Sequence, residues 1–319
     1  MVNFAVIGGF WLTDEFIKAL KDTDDVRYYA QYSRDIHKAE QYGKARGAEK
    51  YYSDLKELAN DEKIDVVYIA SPNRYHYEQS KQMIEAGKHV ICEKPITPTV
   101  SEFIELSELA DKNGVIYMEA MMNIHHPCIK DLQDVIKSSG ETVHARLDFD
   151  QRSSKLEKWK NGESFSTFSK SSYGGALMDL GVYVTSLATY LFGMPDDIFI
   201  RGYFNKDGAD MKDTFVLMYD SFEAVCTISK LAESSIRSEI LCDKNVITFD
   251  NISRLENIVS RGENEMILSQ NNSFVECMKY EINDLLKYIY GSREEYKINR
   301  IYTEMSIKLL EKLREKAGY

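Results

Sequence analysis

Through its first 120 or so residues the chain alternates short, β-branched apolar runs with helix-sized amphipathic stretches, and that alternation leaves few folds open. The runs are 4–7, 26–32, 66–70, 89–92 and 115–118, each with the length and composition of a buried parallel strand. Between them lie stretches carrying Phe16, Ile17 and Leu20, then Ile36, Ala39 and Tyr42, then Tyr77, Ser80, Met83 and Ile84. Gly87 and Gly114 stand where a helix ends in a left-handed residue. Strand and helix in turn predict a parallel sheet with right-handed crossovers. After about residue 120 the pattern changes to strand-like runs at 145–151, 198–205, 213–219, 224–230, 239–242 and 246–249, with helices at 175–192, 274–290 and 301–316. Successive strands without intervening helices predict a largely antiparallel sheet. The 319 residues exceed what one core usually organises. The expected fold is therefore an α/β domain over 1–120 and an α+β domain over 121–319 with a large, mostly antiparallel sheet, its C-terminal helix able to pack back on the first domain.

Composition narrows the partners. With 40 basic and 51 acidic side chains the formal charge is −11, which argues against nucleic acid and against an anionic membrane surface. Five cysteines, scattered and without a CxxC pair, read as free thiols in a reducing compartment, with no disulfide and no zinc site. No basic leader precedes the first strand, and no apolar run reaches the roughly 20 residues that span a bilayer. The expectation is a cytoplasmic protein. An apolar sheet face is rarely left to water, so the second domain is expected to make a homodimer or a dimer of dimers.

The first strand runs into Gly8-Gly9-Phe10-Trp11-Leu12-Thr13 and a helix, where a dinucleotide fold turns tightly and offers backbone N–H groups to a pyrophosphate. In the G-x-G-x-x-G/A fingerprint the second glycine lets the backbone approach the phosphates; that place is held by Phe10, and Thr13 holds the third. The second strand ends at Tyr32-Ser33-Arg34. A hydroxyl and a guanidinium there suit the 2′-phosphate of NADP better than the free ribose of NAD, although Asp35 is adjacent. Two further strand ends, Ser71-Pro72-Asn73-Arg74-Tyr75-His76 and Glu93-Lys94-Pro95, fall beside the crevice where such sheets bind ligands. A lysine there, flanked by Glu93, suits proton transfer.

With these residues in view, the chain resembles the Gfo/Idh/MocA oxidoreductases. The resemblance rests on Ile69-Ala70-Ser71-Pro72-Asn73, His76, Glu85-Ala86-Gly87-Lys88-His89-Val90, Glu93-Lys94-Pro95, Met118-Glu119-Ala120-Met121 and Gly174-Gly175-Ala176-Leu177-Met178-Asp179-Leu180-Gly181-Val182-Tyr183. It implies a Rossmann first domain binding a nicotinamide dinucleotide, NADP by the preference read from Ser33 and Arg34, or NAD. The cofactor residues it implies are Gly8, Gly9, Phe10, Trp11, Leu12, Ser33, Arg34, Ser71, Pro72, Asn73, His76, Glu93 and Lys94. It also implies that Lys94 polarises or protonates the reacting oxygen, that Tyr183 is a second proton donor or relay, and that Asp179 orients substrate or lysine. On an α-helix Asp179 and Tyr183 share a face, while Leu177, Leu180, Val184, Leu187 and Leu191 form the apolar stripe.

The expected reaction is hydride transfer between nicotinamide and a hydroxyl or carbonyl carbon of a sugar-, polyol- or dihydrodiol-like molecule. The alternatives are a cofactor-binding regulator that has lost turnover, favoured by Phe10, and an NAD-assisted lyase or glycosidase with a cycling cofactor. His125 and His126 lack an acidic partner at ligand spacing, so no metal is expected. Trp159 is either a sugar-stacking platform or a loop cap.

Overall fold

The structure, a computed structural model, describes residues 1–318. The chain forms two compact units, one of Met1–Met121 with Phe274–Ile301 and one of Met122–Ser273 with the chain from Tyr302 on.

In the first unit the elements run β1 (Val2–Ile7), α1 (Trp11–Lys21), β2 (Val26–Tyr32), α2 (Ile36–Arg46), β3 (Lys50–Tyr52), α3 (Leu55–Ala59), β4 (Val66–Ile69), α4 (His76–Glu85), β5 (His89–Glu93), α5 (Val100–Asn113) and β6 (Tyr117–Ala120). The six strands are parallel in the order β3-β2-β1-β4-β5-β6. The order reverses between β1 and β4, where α/β sheets open a crevice at their carboxyl ends. Helix ends follow local chemistry. Asp35, Asp54 and Thr99 cap α2, α3 and α5 through their side chains, while Gly47 and Gly114 close α2 and α5 in the left-handed region. Behind the sheet Phe16 stacks on Tyr68 at 3.6 Å between centroids. Strand β3 was outside the expected set: it is three residues at the sheet edge and, being half exposed, has no apolar run to betray it.

The second unit begins with α6 (Met122–His125) and α7 (Cys128–Ser138), then β7 (Thr142–Asp150), α8 (Leu156–Lys160), a π turn over Leu177–Gly181 and α9 (Val182–Phe192). Strands β8 (Asp197–Phe204), β9 (Asp210–Met218), β10 (Glu223–Ser229), β11 (Ser238–Cys242), β12 (Val246–Phe249), β13 (Val259–Arg261) and β14 (Glu265–Ile267) follow. With β7 they form an eight-stranded sheet, β14-β13-β12-β11-β7-β10-β9-β8, antiparallel at every pairing except β7 with β10. Alternation sorts its two faces: Leu147, Phe215, Leu217, Cys226, Ile240 and Ile247 are buried, and Phe199, Tyr203 and Met218 are exposed. The three-residue strands β13 and β14 were not expected; β14 is exposed throughout.

Within Lys170–Phe192 an 18-residue window has a mean hydropathy of 1.3, but 78% of that window is buried within the fold, as in a core helix. It is a core segment of its unit, with Leu177, Val182, Val184, Leu187 and Ala188 fully buried. The second domain was expected to span 121–319 with its C-terminal helix able to pack back on the first; α10 (Phe274–Tyr290) and the start of α11 (Arg293–Ala317) belong to the first unit. The Trp11 indole meets Phe274 edge-on at 5.1 Å. The Tyr296 hydroxyl donates to the Tyr117 carbonyl at 3.1 Å and accepts from its N–H at 2.9 Å. Tyr296 is buried, which is why α11 starts well before residue 301.

Candidate active site

At the carboxyl ends of β1, β2 and β4 a cleft of about 670 Å³ opens, within the size range of small-molecule sites. Gly8, Gly9 and Phe10 form one wall, Ser33 and Arg34 another, and Ser71 and Pro72 a third. Gly8 has φ +123°, and a Cβ there would lie 2.6 Å from the Ala70 carbonyl oxygen, so only glycine lets the ends of β1 and β4 come this close. Phe10 has φ −152° and ψ −179°, extended backbone open to any residue, and the residue is 43% exposed. The turn thus accommodates Phe10 without strain. Phe10 is also the N-cap of α1 and supplies no side-chain cap; the first-turn amides remain available to an anion, reinforced by the helix dipole. A glycine cradle, uncapped amides and a basic end are the donor set a dinucleotide needs, and the residues fit one.

Further cleft residues were not among the expected site residues, Gln31, Lys38, Gln41, Arg46 and Gln79 among them; Tyr42 was expected only on a helix face and Tyr75 only within the strand-end motif. Lys38, Tyr42 and Arg46 share one face of α2, a signal available in their spacing once that helix is placed beside the glycine turn. Arg46 lies 3.6 Å over the Tyr42 ring, and its Nε donates to Asp14 at 2.7 Å; Tyr42 also donates to Asp14. These bonds tie α2 to α1 across the cleft floor. Arg34 sits 5.9 Å over Tyr75.

The remaining expected cofactor residues do not line this cleft. Leu12 is buried, and the Trp11 side chain is turned to Phe274. Asn73 opens the short turn before α4. His76 is fully buried behind the loops, its ring nitrogens 2.8 Å from the Ser71 carbonyl and 2.9 Å from that of Pro95. It ties the Ser71 turn to the Lys94 turn. Glu93 is buried and accepts from the Tyr68 hydroxyl at 2.5 Å. Lys94, next in sequence, is half-buried at the end of β5.

The loop beyond Lys94 is pinned by Glu119, whose Oε1 accepts from the Ile96 N–H at 2.9 Å. Burial pushes the Glu119 carboxyl up to about 7; the Ile96 bond and Lys94 pull against this, and Glu93 adds to it. Glu281, on α10 of the same unit, is driven well above the usual carboxylate range by burial, then by the charges of Glu93 and Glu119.

In the second unit the expected regular helix over 175–192 is interrupted. Leu177–Gly181 forms a π turn, so Asp179 and Tyr183 are not related by the simple α-helical spacing. The first amide of the turn is held by Asp210 on β9, which accepts from the Leu177 N–H at 2.5 Å. A Cβ on Gly175 (φ +128°) would fall 1.7 Å from the Asp210 Oδ1. Asp179 accepts from Lys230, which was expected only as the end of a strand; the two are far apart in sequence and nothing local links them. Tyr183 is buried with its ring edge-on to Phe149 at 5.6 Å, and Asn123 donates to its carbonyl at 3.0 Å. Trp159 packs with Phe168 in a small cluster containing Leu156 and Met211, so its ring is committed to packing.

Comparison with known proteins settles the family. Residues 2–121 match the model of the oxidoreductase family with an NAD-binding Rossmann fold, and residues 131–248 match the GFO/IDH/MocA C-terminal domain. The chain belongs to the Gfo/Idh/MocA family. It is 34% identical to scyllo-inositol 2-dehydrogenase (NADP(+)) IolU of Bacillus subtilis strain 168, over 100% of this chain and 98% of that one. It is 25% identical to trans-1,2-dihydrobenzene-1,2-diol dehydrogenase of Mus musculus, over 99% and 97%. A solved levoglucosan dehydrogenase in complex with NADH and levoglucosan has the same fold, with a TM-score of 0.84 at 19% identity, over 99% and 97% of the two chains. This Gfo/Idh/MocA protein is an NAD(P)-dependent oxidoreductase.

Proposed function

We propose that this protein transfers hydride reversibly between NADP and a hydroxyl-bearing carbon of a small polyol, sugar or dihydrodiol. The observation that carries the cofactor choice is the end of the cleft at β2, where Ser33, Arg34 and Lys38 gather and the Asp35 carboxylate is turned into α2 as its cap. The likeness to an NADP-dependent inositol dehydrogenase supports it. Bound there, the dinucleotide supplies the hydride chemistry. The protein's own part is orientation and proton handling: Gly8 to Phe10 and the first turn of α1 take the phosphates, Ser33 and Arg34 the 2′-phosphate, and Ser71 and Pro72 the side of the cleft. Lys94 gives or takes the proton at the reacting oxygen, Tyr183 is the second proton donor, and Asp179 holds a substrate hydroxyl.

Titration with NADPH and NADH, followed by nicotinamide fluorescence, and then a panel of inositols, pentoses and dihydrodiols with NADP tests this reading. Tighter binding of NADPH and NADP-linked turnover of a neutral polyol are expected. Failure of both nucleotides to bind would refute it.

We further propose a homodimer formed through the open face of the eight-stranded sheet, with a cytoplasmic location as the scattered thiols suggest. Phe199 and Tyr203 on β8, Met218 on β9 and Val246 on β12 stand exposed on that one face, and a second copy is the occupant that would shield the same patch on both partners. A monomeric mass at micromolar concentration would overturn the assembly.

A further inference from the structure

Lys230 follows the last residue of β10, and its backbone N–H donates to the Met211 carbonyl at 2.9 Å, so its main chain is set by β9. Its side chain is 3% exposed; that of Asp179, with which it pairs, is 36% exposed. The ammonium also lies 5.3 Å from the Phe168 ring centroid. A buried ammonium is tolerated only when paired and hydrogen-bonded, and the Asp179 carboxylate is the partner it contacts.

The other charged groups on the strands packed against the π turn have different engagements. On β7, Asp148 accepts from the Thr227 hydroxyl, and burial followed by the Asp148 charge raises the neighbouring Asp150. On β9, Lys212 lies 6.0 Å from the Tyr203 ring, on the opposite face of the sheet. Asp210 feels the charge of Lys230 but accepts from Leu177 and is raised by burial. Asp213 is raised by burial and then by Asp210, so this buried pair retains a proton between its two carboxyls. The pair Lys230–Asp179 therefore presents its acidic end outward and keeps its basic end inside.

We propose that Lys230 is a positioning residue for the reaction: its buried ammonium grips the partly exposed Asp179 carboxylate and fixes its direction, so that the group it receives is a hydroxyl of an uncharged substrate. This rests on the reading of Asp179 as a substrate contact. It also narrows the substrate class, since a carboxylated sugar would bring a second anion against Asp179.

Difference infrared spectroscopy at pH 7 reads the hydrogen bonding of the carboxylate and needs no substrate, with Asp179→Asn as the blank that assigns the Asp179 bands. Lys230→Arg is expected to keep the Asp179 carboxylate stretch close to the wild type, and Lys230→Met to shift it, because the charged donor is gone. Lys230→Gln, which keeps a donor without a charge, is the second variant in case the methionine variant does not fold, and is expected to shift it in the same direction. An Asp179 carboxylate stretch at the wild-type frequency in the uncharged variants overturns the proposal.

The best neutral substrate from the polyol panel supplies the kinetic arm. Lys230→Met or Lys230→Gln is expected to lower kcat/KM about 100-fold, with Lys230→Arg recovering to within about fivefold, the scale of a lost general acid or base partner. If Asp179→Asn turns over like the wild type, the reading of Asp179 falls and the proposal with it. If Asp179→Asn is crippled while the uncharged Lys230 variants are not, the proposal alone falls.

Discussion

The Asp35 carboxylate accepts from the backbone N–H groups of His37 at 3.0 Å and Lys38 at 3.3 Å. It is thereby committed to closing the N-terminus of α2 and does not line the cleft. An acidic side chain near this strand end is what usually holds the free 2′-hydroxyl of NAD. Here the cleft end is left to Ser33, Arg34 and Lys38, a donor set for a phosphate.

Arg34→Ala is accordingly expected to weaken NADPH about 10- to 100-fold, since a charge-assisted hydrogen bond is worth about 1.5–3 kcal/mol. NADH affinity should change by less than about threefold, because the 2′-hydroxyl gives the guanidinium no charge to meet. Parallel fluorescence titrations check this. Equal loss for both nucleotides would mean that Arg34 stacks on the base or supports the loop.

Lys94→Ala is expected to lower turnover about 100-fold or more while leaving NADPH affinity largely intact, as for a general acid or base. Stopped-flow hydride transfer beside equilibrium titration separates the two quantities. Loss of nucleotide binding in step with turnover would make Lys94 a structural or cofactor residue.

Glu119 links stability to pH. Its folded carboxyl titrates at about 7 against 4.5 in the open chain, so the folded state holds a proton that the unfolded state loses. Stability from this group is intact below about pH 4.5, falls as the pH rises through the interval, and stays low above 7. A shift of this size corresponds to about 3 kcal/mol. Glu119→Gln keeps an oxygen for the Ile96 N–H and carries no charge. Its Tm should therefore exceed that of the wild type by several degrees at pH 8, with the gap closing at pH 5. An equal difference at both values would sink the assignment.

Gly175→Ala tests the anchor of the π turn. Its Cβ would fall 1.7 Å from the Asp210 Oδ1 at a φ of +128°, and a loss of about 2 kcal/mol or more is expected. Gly47→Ala is the control: φ is +91° there, but nothing lies within 4 Å of the added carbon, so the cost should stay near 1 kcal/mol. Urea midpoints measure both. Comparable losses would show that backbone strain alone, without the Asp210 contact, governs position 175.

Periodicity and local chemistry carry most of the architecture. The runs at 4–7, 66–70 and 89–92 announce buried strands because the burial of both faces demands unbroken apolar side chains. Gly8, Ser33 and Arg34 were readable as cleft residues because the ends of parallel strands must meet at the switch point. The short edge strands β3, β13 and β14 left no such mark, since a strand half open to water needs no apolar run.

What local sequence determined, then, was the order of elements, the glycine turn and the family signature, all governed by interactions within a few residues or by repeats of burial. Tertiary structure alone decided that Asp35 serves as a cap, that Asp210 takes the Leu177 amide, and that Asp179 pairs with Lys230. Each is a choice among several available partners. Which partner wins depends on which strands become neighbours and how deeply a charge is buried, quantities that exist only once the sheet has formed.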